Sequence, residues 1–559
     1  MRRTLLFAAL VSALGFSGTG LANAHPYAIV VREMTIDEYP EWKAVVDALQ
    51  QKHNGEIVTY STSVGEVVDQ LRQIAPTHIA FVVRPEEASS TYVVKVSRLT
   101  RQLDDDPYGD AIWGIVTGYT PEDALRIVSI DGFRVRNVLA GTGAGWLPYV
   151  KQGITTSEAD YGRMWVKESG SEIVEISGPT DRTEFLVEKL NTNTFDIFIT
   201  SGHANVDNWQ LHYPDPGLEG FFRSWEGQVY GDPYEGPDVP VNSTNPKIYF
   251  GLGNCYIGRI ADMNSMVLAW IHSGGAYLFT GYVTLEGEHS YQLGGIPAYF
   301  FVQSHYTWPE AFFANNQALL FDRENGIAEI FSFDKDGGAL YGDPALDVRV
   351  DPVRDPLYET QITVSPGTER DTVTVKIRMN EEGTPGFNGK WGNRHPVILF
   401  DFRAEDPQIE YTDAYEAVVT ENFALMYVWK QGDPLLGEGE EREVVFTATG
   451  PIVTAVEEQH FVDTVSPSTF VLLQNYPNPF NSQTVISYRL SDETHVILRV
   501  YDVNGRLVRT LVDGEQSPGY HTLAWNAKDE SGVEVASGVY LYRLRAGGLS
   551  STRRMVLLR

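Results

Sequence analysis

Two residues in this sequence have the chemistry of a nucleophilic pair. Cys255 is the only cysteine among 559 residues and stands near the end of "NPKIYFGLGNCYIG" (245–258). His203 stands near the end of "FDIFITSGHA" (195–204), 52 positions earlier. A free thiol titrates near about 8.5 and holds little thiolate at neutral pH. An adjacent imidazole takes the thiol proton, raises the thiolate fraction and later protonates a leaving amine. Gly202, Gly253 and Gly258 let the backbone come close to a ligand, and the main-chain N–H groups of Ala204 and Cys255 could face a developing oxyanion. Taken singly, a lone cysteine reads as a small buried hydrophobe and a lone histidine as a structural residue. Their shared position at the ends of apolar runs points instead to catalysis.

Such a pair works only if the two runs are neighbouring strands. From His25 to about Val350 short apolar runs alternate with helical patterns. "YAIVV" (27–31), "HIAFVV" (78–83), "AIWGIVTG" (111–118), "VRNVLAG" (135–141), "FDIFITSG" (195–202), "KIYFGLGN" (247–254) and "AYLFTG" (276–281) read as strands. Residues 39–53 and 263–274 read as helices between them. Continuous apolar strands separated by helices predict a mainly parallel sheet flanked by helices. Ligands of such sheets bind beyond the carboxyl ends of the strands, where both side chains would emerge. "GTGAG" (141–145) lacks the Lys-Ser/Thr of a phosphate loop and reads as a tight strand-to-helix turn.

Beyond residue 352 the pattern changes to alternating β, as in "TVTVKIRM" (372–379) and "REVVFTATG" (442–450). Hairpin turns such as "VNGRL" and "DESGVE" punctuate a further antiparallel unit after "VDTVSPST" (462–469). The fold class expected is therefore multidomain: an α/β domain followed by two all-β sandwiches. At the other end, two arginines, an apolar run and "ANA" before His25 form a signal peptide over residues 1–24. The mature chain is expected to be secreted or held at the cell surface, with no transmembrane segment. The net charge is −31, although residues 466–559 hold ten Lys/Arg against eight Asp/Glu. That acidity excludes nucleic acid as a partner.

Four segments in order, "FDIFITSGHA", "IYFGLGNCYIG", "GGAYLFTGYV" and "LYGDPALDVRV" (340–350), resemble the gingipain-like cysteine peptidases, a family of caspase-like fold. "DDDPYGDAIWGIVTG" (104–118) is similar to an earlier family segment. The resemblance spans about 70–350 and implies a peptidase domain at 25–352. It implies Cys255 as nucleophile, His203 as general acid/base, an oxyanion hole from Ala204 and Cys255, and protein or peptide substrates. Ala204 replaces the family's glycine, and "LAGTGAGW" (139–146) has no carboxylate where the family places its acid. Another group would then orient the imidazole, with Asp196, Asp110 and Asp207 as candidates. Family members cut after basic residues through an acidic pocket, and Glu158 and Asp160 stand at a suitable position for one. The alternative is an inactive peptidase fold used for binding or display at the surface.

An Ig-like sandwich at 353–465 follows. "LLQNYPNPFNSQTVISYRL" (472–490), "VYDVNGRLVRTLV" (500–512), "GYHTLAW" (519–525), "ASGVYLYRL" (536–544) and "RRMVLLR" (553–559) resemble the C-terminal sorting domain of the type IX secretion system. That resemblance implies a sorting sandwich at 466–559 and the secretion machinery as partner, through an exposed final strand. The proposed chemistry requires no cofactor. Carboxylates of "QLDDDPYGD" (102–110) could hold a structural calcium, and Trp209, Trp225 and Tyr256 could line the cleft or simply pack.

Overall fold

A computed structural model of the chain describes residues 26–285, 291–330, 335–450, 452 and, with short interruptions, 471–558. The expected signal peptide and the stretch 462–469 lie outside the described residues. The chain divides into two compact units, Met1–Glu457 and Glu458–Arg559.

In chain order the first strands are β1 (Tyr27–Arg32), β2 (Glu56–Tyr60), β3 (His78–Val82), β4 (Ile112–Val116), β5 (Gly132–Val135) and β6 (Asn137–Ala140). Next come β7 (Gln152–Thr156), β8 (Arg163–Lys167), β9 (Val174–Ser177), β10 (Ile197–Thr200), β11 (Ala204–Asn205) and β12 (Asn208–Gln210). They are followed by β13 (Phe221–Trp225), β14 (Gln228–Asp232), β15 (Val239–Pro240), β16 (Lys247–Gly251), β17 (Ala276–Tyr282) and β18 (Gly338–Tyr341).

One mixed sheet runs β2-β1-β3-β4-β18-β17-β16-β10-β6-β7-β8-β9. β2, β1, β3, β4 and β18 form a parallel block, and β17, β16, β10, β6 and β7 form another. The blocks meet at the antiparallel pair β17–β18, so they run in opposite directions. The sheet is thus parallel within each block but mixed as a whole, because β18 returns beside β17 in the reverse sense. β1, β4, β10, β16 and β17 are buried almost throughout, as continuous apolar strands covered on both faces must be. The helix Pro40–His53 buries Trp42, Val45, Val46 and Leu49 in an i, i+3, i+4, i+7 stripe. The helix Trp308–Glu324 is fixed at its start by a capping box between Thr307 and Glu310, and Trp308 Nε1 donates to Thr280 Oγ1 of β17 at 2.8 Å. β11 to β15 form a separate antiparallel sheet inserted between β10 and β16.

A sandwich follows in the same unit. Its larger sheet contains Tyr358–Ser365, Arg370–Met379, Glu441–Thr449 and Gln408–Thr412. The smaller contains Val397–Leu399, Phe423–Tyr427 and Glu416–Val419. Alternation decides the packing of the smaller sheet. Val397, Phe423 and Leu425 enter the α/β core, while Ile398, Ala424 and Met426 enter the sandwich core. Between them the His395 ring and the Asp322 carboxylate, both fully buried, pair at 2.7 Å. The second unit has its own core around Leu498, Trp525, Tyr542 and Met555, between a three-stranded and a four-stranded sheet. Its last strand, Leu549–Leu557, is an edge strand whose end pairs with Phe480. Among the described residues no helix is long and apolar enough to cross a membrane.

Candidate functional site

β10 and β16 are adjacent and parallel, with Thr200 opposite Gly251. The segments after them therefore leave the sheet side by side, and Leu252 N donates to Thr200 O at 2.9 Å. Asn254, fully buried, holds the two segments together. Its Oδ1 accepts from Thr200 Oγ1 at 2.7 Å, and its Nδ2 donates to Gly202 O at 3.0 Å. Thr200 Oγ1 also bonds Tyr249 OH at 2.8 Å. The residue before Cys255 is thus bonded to the residue before His203. Cys255 is half-buried and outside any disulfide, and His203 is exposed.

The turn after Cys255 is pinned from below. Tyr256 adopts a left-handed φ of 55°, Tyr256 N donates to Thr284 O at 3.1 Å and Gly258 N to Tyr282 O at 2.9 Å. A methyl group on Gly258 would stand 2.6 Å from Gly281 O, so this glycine serves an approach to β17 and not to a ligand.

The His203 side is held by Gly202, whose φ is 81°. A methyl there would lie 3.5 Å from the Tyr213 ring and 3.6 Å from Glu158 Oε2. Trp209 Nε1 donates to Ser201 O at 2.7 Å, and the Trp209 indole is buried. Trp209 therefore packs instead of lining a cleft. A methyl on Gly141 would meet the Trp209 ring at 2.5 Å, which accounts for the glycine that starts the 141–145 turn. Trp225 is exposed and Tyr256 half-buried, with Arg259 over the Tyr256 ring. The Tyr213 ring lies against the His203 imidazole, centroids 5.0 Å apart.

Glu158 closes this arrangement. Its carboxylate accepts from Ser201 Oγ, and its main-chain carbonyl accepts from Tyr213 N at 2.8 Å. One residue thus grips both sides of the His203 loop. Burial pushes the Glu158 carboxyl above the usual carboxylate range, against the opposing pull of the Ser201 hydroxyl and the Arg182 charge. Arg182 is buried, pairs with Glu219 at 2.8 Å, and donates to Gly141 O and Thr156 Oγ1.

The structure does not bring the other expected acids to His203. Asp196 precedes β10, at the opposite end of the strand that His203 follows. Its carboxylate accepts from Arg136 N at 2.8 Å and Asn137 N at 2.9 Å. Four strand residues, at about 3.3 Å each, separate it from that edge. Asp110 lies at the start of β4, four strands from β10 and so about 19 Å away at roughly 4.8 Å per strand. Burial, with the neighbouring Asp104, pushes the Asp110 carboxyl well above its ordinary range, and Leu103 N donates to it at 3.0 Å. Asp207 is exposed in the β11–β12 turn, beyond the pair Asn205–Asn208 and away from His203. Asp160 is exposed and ion-paired to Arg163 at 3.2 Å. No carboxylate is hydrogen-bonded to His203 among the described residues. Nor do three or more His, Cys, Asp or Glu residues gather there as a metal site. Ala204 begins β11, paired with Trp209.

Sequence reasoning missed Asn254, Thr200, Ser201 and Tyr213. A signal existed for two of them. Thr200 and Asn254 are polar side chains at the ends of apolar strands, where a buried polar group must find a partner.

None of the curated proteins compared matches the chain. Among solved structures, latent PorU from Porphyromonas gingivalis aligns at 9% identity and a TM-score of 0.22, covering 95% of this chain and 64% of PorU. PorZ from the same organism, described as a surface component of its type-IX secretion system, aligns at 15% and 0.13 over 36% of this chain and 23% of PorZ. FlgD from P. aeruginosa aligns at 20% and 0.12 over 16% of this chain and 75% of FlgD. Residues 479–548, within the second unit, match the FlgD Ig-like domain.

Proposed function

We propose that the chain is an exported cysteine endopeptidase whose α/β part is caspase-like, with Cys255 as nucleophile and His203 as general acid/base. The observation that carries this reading is the Asn254–Gly202 hydrogen bond, which sets the two residues at the mouths of adjacent parallel strands. In the reaction Cys255 gives its proton to His203, and the thiolate sulfur attacks the peptide carbonyl carbon. Main-chain N–H groups of Ala204 and Cys255 face the oxyanion. His203 returns the proton to the amine as the C–N bond breaks, leaving a thioester. Water, deprotonated by His203, then releases the acid and restores the thiol. Glu158, beside Gly202, gives the site a negative wall suited to a basic P1 side chain; Asp160 is neutralised by Arg163. The last unit, with its Ig-like match and edge strand, serves as the type IX sorting signal.

The test is alkylation. Iodoacetamide should label Cys255 faster than free cysteine, an Arg-containing fluorogenic peptide should be cleaved, and Cys255→Ala should abolish both. A second reading, a peptidase-like surface protein without activity, is favoured because no carboxylate among the described residues is hydrogen-bonded to His203 and because Ala204 stands in place of glycine. Ordinary labelling with no cleavage of basic or neutral peptides would establish it instead.

A further inference from the structure

The opposed directions of the two parallel blocks put a second set of strand carboxyl ends on the far edge of the sheet. There the chain passes from β1 to β2 on one side and returns to β3 on the other. In open α/β sheets a crevice forms where successive connections diverge in this way. A cavity of about 230 Å³ occupies that place. Arg32 and Tyr60, the last residues of β1 and β2, line it with Ser63, and with Glu87, Tyr92 and Lys95 beyond β3.

Its chemistry is unlike the acidic remainder of the chain. Tyr60 and Tyr92 are buried, their hydroxyls 3.5 Å apart, and supply ring faces with a polar end. Glu87 is the one carboxylate in the lining, and two guanidinium groups already occupy it, Arg32 at 2.6 Å and Arg84 at 3.1 Å. Lys95 has no ion pair among the described residues. The helix Ser90–Leu99 starts at the rim with no acidic residue in its first turn, which adds to the positive potential. At about 30 Å³ per water the space exceeds a bare ion several-fold.

We propose that this cavity binds a small solute bearing one phosphate or carboxylate group, with the anionic end on Lys95 and Arg32 and the uncharged body on the Tyr60 and Tyr92 rings. The site is independent of the thiol chemistry, since it lies at the other carboxyl edge.

Calorimetric titration of the full chain tests it with four probes: glucose 6-phosphate, glucuronate, glucose and inorganic phosphate. One of the first two should bind with a Kd of about 1 mM or tighter, and glucose and inorganic phosphate roughly tenfold more weakly. Lys95→Glu, at an exposed position, should weaken the bound probe at least tenfold. Thr91→Trp, which fills the mouth, should do the same, whereas Cys255→Ala should leave binding unchanged. The two carbohydrate acids tell phosphate from carboxylate. The proposal is overturned if neither saturates by about 10 mM, if both cavity variants bind like wild type, or if inorganic phosphate binds as tightly as the larger probes.

Discussion

At the residue scale the site is a matter of hydrogen bonds to neighbours of the reactive groups. Replacing Asn254 by Ala takes the side-chain donor from Gly202 O and leaves Thr200 Oγ1 with Tyr249 OH alone, and losses of this kind cost about 1–3 kcal/mol. Asn254→Ala should therefore lower the unfolding midpoint and also slow alkylation of Cys255, read by timed mass spectrometry. Glu158 should set a pH-dependent preference. It carries charge only above its pKa, which burial raises. The preference for an Arg over an Ala P1 residue should thus fade, as pH falls, at a higher pH than an ordinary glutamate would give. Glu158→Gln should abolish the preference at every pH; an unchanged Arg/Ala ratio would remove Glu158 from the pocket. The thiol and imidazole were legible because each ends an apolar run. That Asp196, Asp110 and Asp207 lie away from the imidazole was not legible, since sequence distance does not say at which end of a strand a residue lies. Asp196 and His203 flank one four-residue strand and still face opposite edges.

At the element scale, strands buried on both faces announce themselves as apolar runs, and β1, β3, β4, β10, β16 and β17 were readable for that reason. The β11–β15 sheet was not, because its strands are two to five residues long and broken by Gly, Pro and Asp. β16 also conceals a charged group. Lys247 is fully buried at its start and donates to Ser243 Oγ, Asn245 O and Gly274 O at 2.8–2.9 Å. Burial, with the Arg126 charge, pulls its ammonium down to about 7. Between about 7 and the ordinary lysine value the unfolded chain binds a proton that the folded chain does not, so stability rises with pH across that window. Lys247→Met should remove this rise and, by taking the donor from the buried carbonyls of Asn245 and Gly274, destabilise by about 1–3 kcal/mol at pH 8. Denaturant midpoints at pH 6.5, 8 and 9.5 check both effects. Gly258→Ala should be worse tolerated than Gly145→Ala, since a methyl at 258 meets backbone oxygen and one at 145 meets nothing within 4 Å.

At the scale of the whole molecule, the sandwich after the α/β part shares its core, and a fully buried His395–Asp322 hydrogen bond crosses the join. Removing one partner leaves the other buried polar group without it and costs about 1–3 kcal/mol. His395→Ala should therefore lower the unfolding temperature of both parts together in a single calorimetric transition, whereas two separated transitions would show that they fold independently. Sequence patterning separated these two parts at the change from helical to alternating periodicity. It could not show that one three-stranded sheet belongs to two cores, because strict alternation looks the same whichever layer each face meets.

The reversal at β17–β18 also bears on how the molecule tolerates change. Loops that carry the thiol and imidazole grow from one rim, and loops around the tyrosine-floored cavity grow from the opposite rim. Neither set shares a connection with the other. Insertions into the loops of one rim leave the opposite rim's geometry intact, so a single slab of strands carries two loop surfaces that can be refitted separately.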